Sequence, residues 1–522
     1  MSQKLVVTFL GLAILFMVSC SPCVLMAQTK SKEWYNEKHR PQFHFSPEKN
    51  WMNDPNGLLY FDGEYHLFFQ HDSYEKVFTN MSWGHAISND LIHWKEYPKA
   101  IIPDGDGFGL IFSGSAVVDK NNTAGFGNNA FVAFYTGTEL QQQQCIAYST
   151  DKGRNWIKYK NNPVIRNEKD DSTPADFRDP KVMWHEETKK WIMSLAVKDH
   201  VEFWSSHNLL EWKKESEFGQ AVGGHSGVWE CPDLFELPVE GEGNGKSKRW
   251  VLLVNINPGG PNGGSATQYF VGDFDGKHFV MDEKFEHHLS AEGQWVDYGT
   301  DNYAGVTWFN VPDRKITIGW MNNWNYGMKA QTYPWRGAMT IPRTLKLVQT
   351  DKGHRIVSWP VAELESIYTT QQKVFNNKKV SSSFELTNAA TKTSTYEVTL
   401  ELEGADQNGF ILEISNDLDQ KVLIGFSPEE KRFFIDRTQS GRSDFSSDFP
   451  GKHYAPRLSN SAVIQLRMLV DHSSVEVFAD GGLTVMTDLF YPDKVFSKLS
   501  LKSWKGETVI KKATLKGIKK IW

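Results

Sequence analysis

Short runs of β-branched and aromatic residues, each bounded by Gly, Asn, Asp or Pro, follow one another along almost the whole chain. Four of them are GLLYFDGEYHLFFQH from Gly57, NAFVAFYTG from Asn129, KWIMSLAV from Lys190 and KITIGWMNN from Lys315. Runs of this composition and length are typical of β-strands. Because no long amphipathic helical pattern accompanies them, the sequence predicts an all-β protein.

A loose repeat groups these strands into units. The segments SNDLIHW, STDKGRNW, SSHNLLEW and GDFDGKHF end at Trp94, Trp156, Trp212 and Phe279, at intervals of roughly 60 residues. About four short strands fit into each interval, which favours the blades of a β-propeller over the turns of a solenoid. Residues 31–350 are therefore predicted to form a five-bladed propeller.

The pattern changes near residue 350. Alternating strands with a turn signal every 8 to 12 residues or so follow, such as STYEVTLELEG from Ser394 and SSVEVFADGG from Ser473, as in a β-sandwich. We predict a connecting segment over residues 351–370 and a sandwich over residues 371–522. This sandwich either braces the propeller or binds polysaccharide, and the absence of an exposed aromatic row favours the brace.

The first 30 residues have the features of an export signal, with Lys4 followed by an apolar run too short to span a membrane. Met17-Val18-Ser19-Cys20 resembles a bacterial lipobox, in which Cys20 becomes a lipid-modified N-terminus. This predicts an exported protein anchored by lipid in a bacterial envelope, at the cell surface or in the periplasm. Cleavage after Ala27 and secretion is the alternative.

Composition excludes several classes of partner and site. The net charge is −6 and the basic residues form no stripe, so a nucleic acid partner is not expected. Only Cys145 and Cys231 lie beyond the signal, which argues against a disulfide framework and a zinc site. Phosphate-loop, dinucleotide, zinc-protease and serine-hydrolase motifs are also missing. The 19 tryptophans suit core packing as well as flat amphipathic ligands such as sugars.

Three carboxylates in unusual sequence surroundings are the candidate catalytic groups. Asp54 lies in WMNDPNG, Asp179 in FRDPKV and Glu230 in ECPDLF, each at the start of a predicted innermost strand that lines the channel of the propeller. Carboxylates crowded in a partly dry site shift one another's pKa values, so that one is protonated while another is ionised. Glycoside hydrolysis uses such a pair. Taken singly, each motif is explained by a turn, an ion pair or a strand end.

Eight separated motifs resemble glycoside hydrolase family 32, the family of invertases, inulinases and levanases. They are WMNDPNG, FSGSAV, FRDPKV, ECPDLF, GTDNYAG, IGWMNNW, WRGAMTIPR and SSVEVFADGG, in the family's order and across the chain from about Trp34 to Trp522. The resemblance implies a five-bladed propeller that carries the active site, followed by a β-sandwich. It implies a retaining hydrolase that uses no cofactor and no metal.

The resemblance also assigns roles to single residues. Asp54 is implied as the nucleophile that forms a covalent fructosyl-enzyme, Glu230 as the general acid and base, and Asp179 as the residue that holds sugar hydroxyls. A turn at Pro55–Gly57 is expected to fix the backbone after Asp54. Retention further predicts about 5–5.5 Å between the two catalytic carboxyl groups. The implied substrate-binding residues are Trp51, Asn53, Gln70, Phe78, Phe112, Ser113, Arg178 and Trp335.

One position departs from the family pattern. Exo-acting members often have Trp where this chain has Phe78, five residues before Trp83 of WGH, and a smaller ring there can open a path for longer chains. The leading hypothesis is an enzyme that releases fructose from levan, inulin or sucrose ends. The alternatives are an endo-levanase that releases oligosaccharides, a fructosyl transferase, and a non-catalytic fructan-binding lipoprotein. The sequence does not predict the linkage preference or the oligomeric state.

Overall fold

The innermost strands of five antiparallel sheets close a ring. The structure is a computed structural model that describes residues 34–139, 141–167, 175–242, 247–290 and 293–522. The predicted export signal and Cys20 therefore lie outside the described residues. None of the helices in the described ranges has the length and hydropathy of a membrane span.

The first three blades each contain four strands in sequential order. Blade 1 is β1 (Asn50–Phe61), β2 (Glu64–Asp72), β3 (Ser82–Ser88) and β4 (Lys95–Ile101). Blade 2 is β5 (Ile111–Asp119), β6 (Ala130–Gly137), β7 (Gln143–Ser149) and β8 (Ile157–Lys158). Blade 3 is β9 (Phe177–His185), β10 (Lys190–Val197), β11 (His200–Ser206) and β12 (Lys213–Phe218).

The last two blades are joined to each other and to the first. Blade 4 is β13 (Val228–Glu240), β14 (Lys248–Asn257), β15 (Ala266–Phe274) and β16 (Phe279–Met281), followed by helix α1 (Glu283–His287). Blade 5 contains β17 (Tyr303–Thr307), β18 (Lys315–Trp320), β20 (Arg343–Thr350) and β21 (Gly353–Pro360), and the short β19 (Trp335–Arg336) pairs in parallel with β1. Around the axis β1 contacts β5, β5 contacts β9, β9 contacts β13, β13 contacts β17 and β17 contacts β1. The predicted five-bladed propeller is confirmed.

The repeat that predicted the blades has a common structural role. Its four copies lie in the loops β3–β4, β7–β8, β11–β12 and β15–β16. In three of them the indole donates a hydrogen bond to the carbonyl three residues earlier: Trp94 to Leu91 (3.1 Å), Trp156 to Gly153 (3.1 Å) and Trp212 to Leu209 (3.0 Å). An Asp or Asn side chain caps each turn. These tryptophans therefore hold the loop between the third and the outermost strand of each of these blades, which explains their regular spacing.

Two six-stranded sheets form the second unit, the predicted β-sandwich. One sheet has the order β22 (Tyr368–Val380), β33 (Thr508–Ile518), β24 (Tyr396–Glu403), β29 (Val463–Val470), β30 (Ser474–Ala479) and β31 (Thr484–Leu489). The other has the order β23 (Ser383–Glu385), β32 (Lys498–Ser503), β25 (Phe410–Ser415), β26 (Lys421–Ser427), β27 (Arg432–Asp436) and β28 (Lys452–Pro456). Helix α2 (Ala405–Asn408) and 3-10 turns at Gly327–Lys329, Ala362–Ile367, Thr391–Thr393 and Asp480–Gly482 complete the described elements.

The domain limits stay a prediction. Strand β21 lies past the predicted propeller limit at residue 350 and pairs with β20 along its full length, within the segment predicted to connect the two units.

Buried charges join the sandwich to the propeller. Arg343 of β20 donates to Asp297 (2.8 Å) and to Glu476 of the sandwich (3.1 Å through Nε), and His44 donates to Glu476 at 2.7 Å. A second buried guanidinium, Arg437, donates to Asp301 at 2.6 Å. Buried ion pairs of this kind fix one relative placement of the packed units.

Replacing Arg343 with Met will destabilise the protein by about 3–5 kcal/mol, because Asp297 and Glu476 lose a cation that they cannot replace with water. The free energy of unfolding from chemical denaturation measures this. Lys346→Met, on the same strand but in an exposed pair with Glu240, is the control and will change the stability by less than about 1 kcal/mol. Equal losses for the two variants would contradict the role of the buried network.

Candidate active site

Each of the three candidate carboxylates lies on a β-bulge of an innermost strand. The register shifts occur between Met52 and Pro55 in β1, opposite Ser194–Ala196 in β9, and between Glu230 and Asp233 in β13. A proline follows within two residues in every case, and proline is tolerated at bulges because it has no N–H to donate. Bulges redirect side chains, so these irregularities turn the carboxylates toward one another.

The predicted turn at Pro55–Gly57 is wrong, since β1 continues through it as a bulged strand. The turn-forming residues serve the bulges instead. Gly57 has φ +53°, and a Cβ there would lie 2.7 Å from the Phe68 ring and 2.8 Å from the Trp83 ring. Glycine is therefore required for the close packing of β1 on its neighbours, behind the carboxylate of Asp54.

Asp54 is held by neutral donors. Ser113 Oγ donates to Oδ2 at 2.7 Å and Asn53 Nδ2 donates to Oδ1 at 2.9 Å. The indole of the fully buried Trp51 donates to Asn53 Oδ1 at 2.6 Å, so Trp51 orients the amide rather than a ligand. The structure thus brings together three of the predicted residues around the carboxylate, and within the described residues none of the contacts to its oxygens comes from a cation.

Asp179 and Asp54 share a neighbouring residue, Cys231. The backbone N–H of Cys231 donates to Asp179 Oδ2 at 2.9 Å, and its thiol lies 3.5 Å from the same oxygen and 3.9 Å from Asp54 Oδ2. Both Asp179 (φ 64°) and Cys231 (φ 42°) have left-handed backbone conformations, which cost energy in non-glycine residues and concentrate at functional sites.

Glu230 has the opposite environment, with one cation and one phenol. Arg178 donates to its Oε1 through Nε (3.1 Å) and Nη2 (2.7 Å), and the hydroxyl of Tyr303 donates to Oε2. The same guanidinium donates to Gln142 at 3.3 Å and to Asp176. Both oxygens of Glu230 are therefore oriented before any ligand arrives.

Burial and mutual repulsion shift the proton affinities in this cluster. Burial, then the charge of Glu230, raises the pKa of Asp54 from 3.8 to about 6, although Ser113 and Asn53 lower it. Burial is also the main cause that raises the pKa of Asp179, against the lowering effect of Arg178. The pKa of the Tyr303 hydroxyl is raised well above 10 by burial and by Glu230, so this hydroxyl keeps its proton.

If Asp54 acts as an anion, activity will fall about tenfold per pH unit on the acidic side of a limb near the pKa of Asp54, about 6. The pH profile of kcat/KM measures this limb. In Ser113→Ala the carboxylate loses a donor that lowers its pKa, so the limb will move to higher pH. A limb that stays in place in this variant would contradict control by Asp54.

Aromatic rings surround the approach to the cluster. Phe78 packs between Phe112 and Trp324, with both centroid distances 5.4 Å, and Trp324 lies 5.8 Å from Trp51. The predicted Phe78 and Phe112 are thus partly exposed members of one aromatic wall. Trp324 extends it, filling part of the space near Phe78.

Two predicted substrate-binding residues are more buried than expected. Gln70 is 1% exposed, next to Asn56 at the back of β1. Trp335 is 2% exposed, with the Arg40 guanidinium 3.8 Å from its ring centroid, so little of this ring can face a sugar. Their roles in binding stay predictions.

Residue-level reasoning missed three polar or aromatic side chains of the site. Tyr303 lies in GTDNYAG and Trp324 in IGWMNNW, two motifs that were noted for the resemblance without assignment of these residues. Gln142, which accepts from Arg178, lies in the polar run Gln141–Gln144. The positions of Tyr303 and Trp324 within family motifs could have identified them as site residues, whereas no sequence feature distinguished Gln142.

Comparisons with known proteins agree with this geometry. The model described as "Glycosyl hydrolases family 32 N-terminal domain" matches residues 44–360, and "Glycosyl hydrolases family 32 C terminal" matches residues 363–517. The chain is 44% identical to a levanase of Bacillus subtilis over 508 residues, which covers 95% of this chain and 73% of that protein.

Solved structures give the same result. An exo-inulinase from Aspergillus awamori superimposes with a TM-score of 0.86 at 38% identity, over 94% of this chain and 100% of the other. A β-fructofuranosidase from Schwanniomyces occidentalis, solved with fructosyl-erythritol, has a TM-score of 0.83 at 32% identity, over 93% and 99%. The chain therefore belongs to glycoside hydrolase family 32.

Proposed function

We propose that the protein is a retaining β-fructosidase that releases fructose from the ends of fructans or from sucrose, with Asp54, Glu230 and Asp179 as its catalytic carboxylates. The observation that carries the choice of Asp54 as the nucleophile is the contrast between two of them. Within the described residues Asp54 receives neutral donors alone at its two oxygens, whereas Glu230 lies against Arg178 and the hydroxyl of Tyr303.

In the first step an Asp54 oxygen attacks the anomeric carbon of the terminal fructosyl unit. The bond from this carbon to the glycosidic oxygen breaks, and Glu230 transfers its proton to the departing oxygen. Neutral hydrogen bonds suit Asp54 for this role, because they orient the attacking oxygen without the ion pair that would lower its reactivity.

In the second step Glu230 takes a proton from water, and the water oxygen displaces Asp54 from the same carbon. Both steps pass through an oxocarbenium-like transition state. The Asp179 carboxylate, oriented by the N–H of Cys231, accepts hydrogen bonds from the sugar hydroxyls and stabilises the positive charge on the ring. Tyr303 and Arg178 hold the Glu230 side chain in one orientation for both steps.

The proposal also covers where the protein acts and on which substrates. We place the protein outside the cytoplasm, with lipid attachment at Cys20 or secretion after cleavage at Ala27. The named relatives act on levan and inulin according to their names, and we extend these polymers and sucrose to this chain as substrates.

Chromatography of early products from levan, inulin and sucrose tests the proposal. Fructose as the sole product from a polymer supports release from chain ends, and proton NMR at the start of the reaction will show the β-anomer first if configuration is retained. A ladder of oligosaccharides would instead support the endo-levanase alternative, with Phe78 as part of an open cleft. Binding of levan without any cleavage would support the non-catalytic alternative.

A further inference from the structure

A second cavity lies at the other end of the propeller channel. It has a volume of about 470 Å³ and is lined by residues of 181–187, 233–236 and 307–310, together with Lys248, Trp250 and Lys315. These segments are the later parts of β9, β13 and β17, whose first residues carry Asp179, Glu230 and Tyr303. The nearest lining residues, Lys181, Asp233 and Thr307, follow them by two to four residues, which is about 7–13 Å along the strands at roughly 3.3 Å per residue, and Trp184 lies about 16 Å along β9 from Asp179.

The walls of this cavity are aromatic. Trp184 and Trp250 are half-buried, with part of each ring open to the cavity. The indole of Trp184 donates to Glu186 at 2.8 Å and its ring packs against Trp191 (centroids 5.1 Å). Trp250 is held by His185 (5.5 Å). Both rings are therefore fixed in place and offer flat faces with a polar edge.

The floor carries a cation with no acceptor. Lys181 is neutralised by Asp233 at 3.0 Å and donates to the carbonyl of Thr307 at 2.6 Å. Lys315 has no hydrogen-bond acceptor or ion pair within the described part of the chain, although its ammonium lies 5.2 Å from the Phe235 ring. Burial lowers the pKa of Lys315, while the charge of Asp233 raises it. The Lys315 side chain is half-buried at the cavity, so its ammonium can donate hydrogen bonds to the oxygen atoms of a ligand there.

The mouth favours a neutral ligand over an anion. Glu186, Glu187 and Glu236 are exposed around it, and two of these carboxylates are paired, Glu186 with Lys189 and Glu236 with Lys248 at 2.6 Å. The rim therefore has no excess of positive charge to attract a free anion, and its carboxylates offer acceptors to hydroxyl groups. Aromatic faces, hydroxyl acceptors at the rim and a donor on the floor are together the chemistry that recognises a sugar ring.

We propose that this cavity is a second saccharide site that holds a fructosyl segment of the polymeric substrate, away from the catalytic end. This inference rests on the proposed function for the identity of the polymer. A chain bound at two places dissociates more slowly than one bound at a single site, since the second contact is intramolecular. Sucrose is too short to reach both ends of the channel, so the site will affect polymers alone.

Affinity electrophoresis through gels that contain levan or inulin tests the proposal, with Asp54→Asn as the parent so that the polymer is not consumed. Adding Trp184→Ala or Lys315→Met will raise the dissociation constant for the polymer by at least about fivefold. Trp504→Ala, which removes a 38% exposed tryptophan from the sandwich, is the matched control and will leave it unchanged. Thermal melts will establish that each variant is folded.

In the active protein the same two substitutions will raise KM for the polymer and leave kcat/KM for sucrose unchanged. Unaltered polymer binding in both folded variants would overturn the site. Failure of the proposed function is a separate result, because it would appear as wild-type protein that releases no fructose from levan, inulin or sucrose, whatever the gels show.

Discussion

Asp54→Asn will lower kcat for fructose release by at least about 10⁴-fold, because an amide cannot form the covalent intermediate. The variant will still bind substrate, since Ser113 and Asn53 remain to orient the side chain. Initial rates with sucrose, in protein purified free of wild-type enzyme, measure the loss. A loss below tenfold would exclude Asp54 as the nucleophile.

The same substitution will stabilise the fold at neutral pH. The pKa of Asp54 is about 6 in the folded protein against 3.8 in the unfolded chain, so the folded state binds the proton more tightly. The stability that this protonated carboxyl contributes is fully present below pH 3.8 and is lost as the pH rises through 6. Asparagine has no proton to lose, so Asp54→Asn will be more stable by about 1–2 kcal/mol at pH 7.

Unfolding curves at two pH values separate this effect from a general change in packing. At pH 3.5 Asp54 is protonated in the folded state and mostly protonated in the unfolded chain, so the variant will gain little. Equal stabilisation at both pH values would show that the ionised carboxylate is not the cause. A gain confined to neutral pH would mean that the active site retains a destabilising charge for its chemistry.

Much of the fold was accessible from the sequence because it depends on local patterns. The strands are visible in the local composition, and the Trp-terminated repeat marks loops that are held by contacts within the loop, as in Trp94 to Leu91. Both signals are local, so a single sequence contains them. Blade 5 lacks the repeat, and its sheet is instead shared with blade 4 through the parallel pairing of Val239 with Leu347. Such long-range pairing leaves no local signature.

The site was predictable in its residues but less so in its geometry. The motifs identified Asp54, Asp179 and Glu230, yet Pro55–Gly57 was interpreted as a turn because local turn preferences outweighed the pairing of β1 with β2. Bulges arise from tertiary pairing. The burial of Trp335 under Arg40 is likewise a contact between distant segments, which no local pattern encodes.

Glu230→Ala will separate the two roles of the general acid and base. Release of fructose from sucrose will fall by about 10²–10⁴-fold, because the leaving alkoxide must be protonated as it departs. An aryl β-fructofuranoside with an acidic phenol needs no such proton, so its first step will be largely preserved and the fructosyl-enzyme will accumulate. A burst of phenol followed by a slow steady rate measures this.

Azide provides the second half of the test. It is a small anion that fits the space left by the carboxylate, next to Arg178 and the Tyr303 hydroxyl that contact Glu230 in the parent. It needs no general base, so it will accelerate the steady rate and yield β-fructosyl azide by attack on the same face as water.

Asp179→Ala is the control. This variant will lose a similar factor in rate with both leaving groups, and azide will not restore the rate, because Asp179 stabilises the sugar ring rather than transferring a proton. Equal losses for sucrose and the aryl substrate in Glu230→Ala, without rescue, would remove Glu230 from proton transfer and leave Arg178 with a purely structural partner.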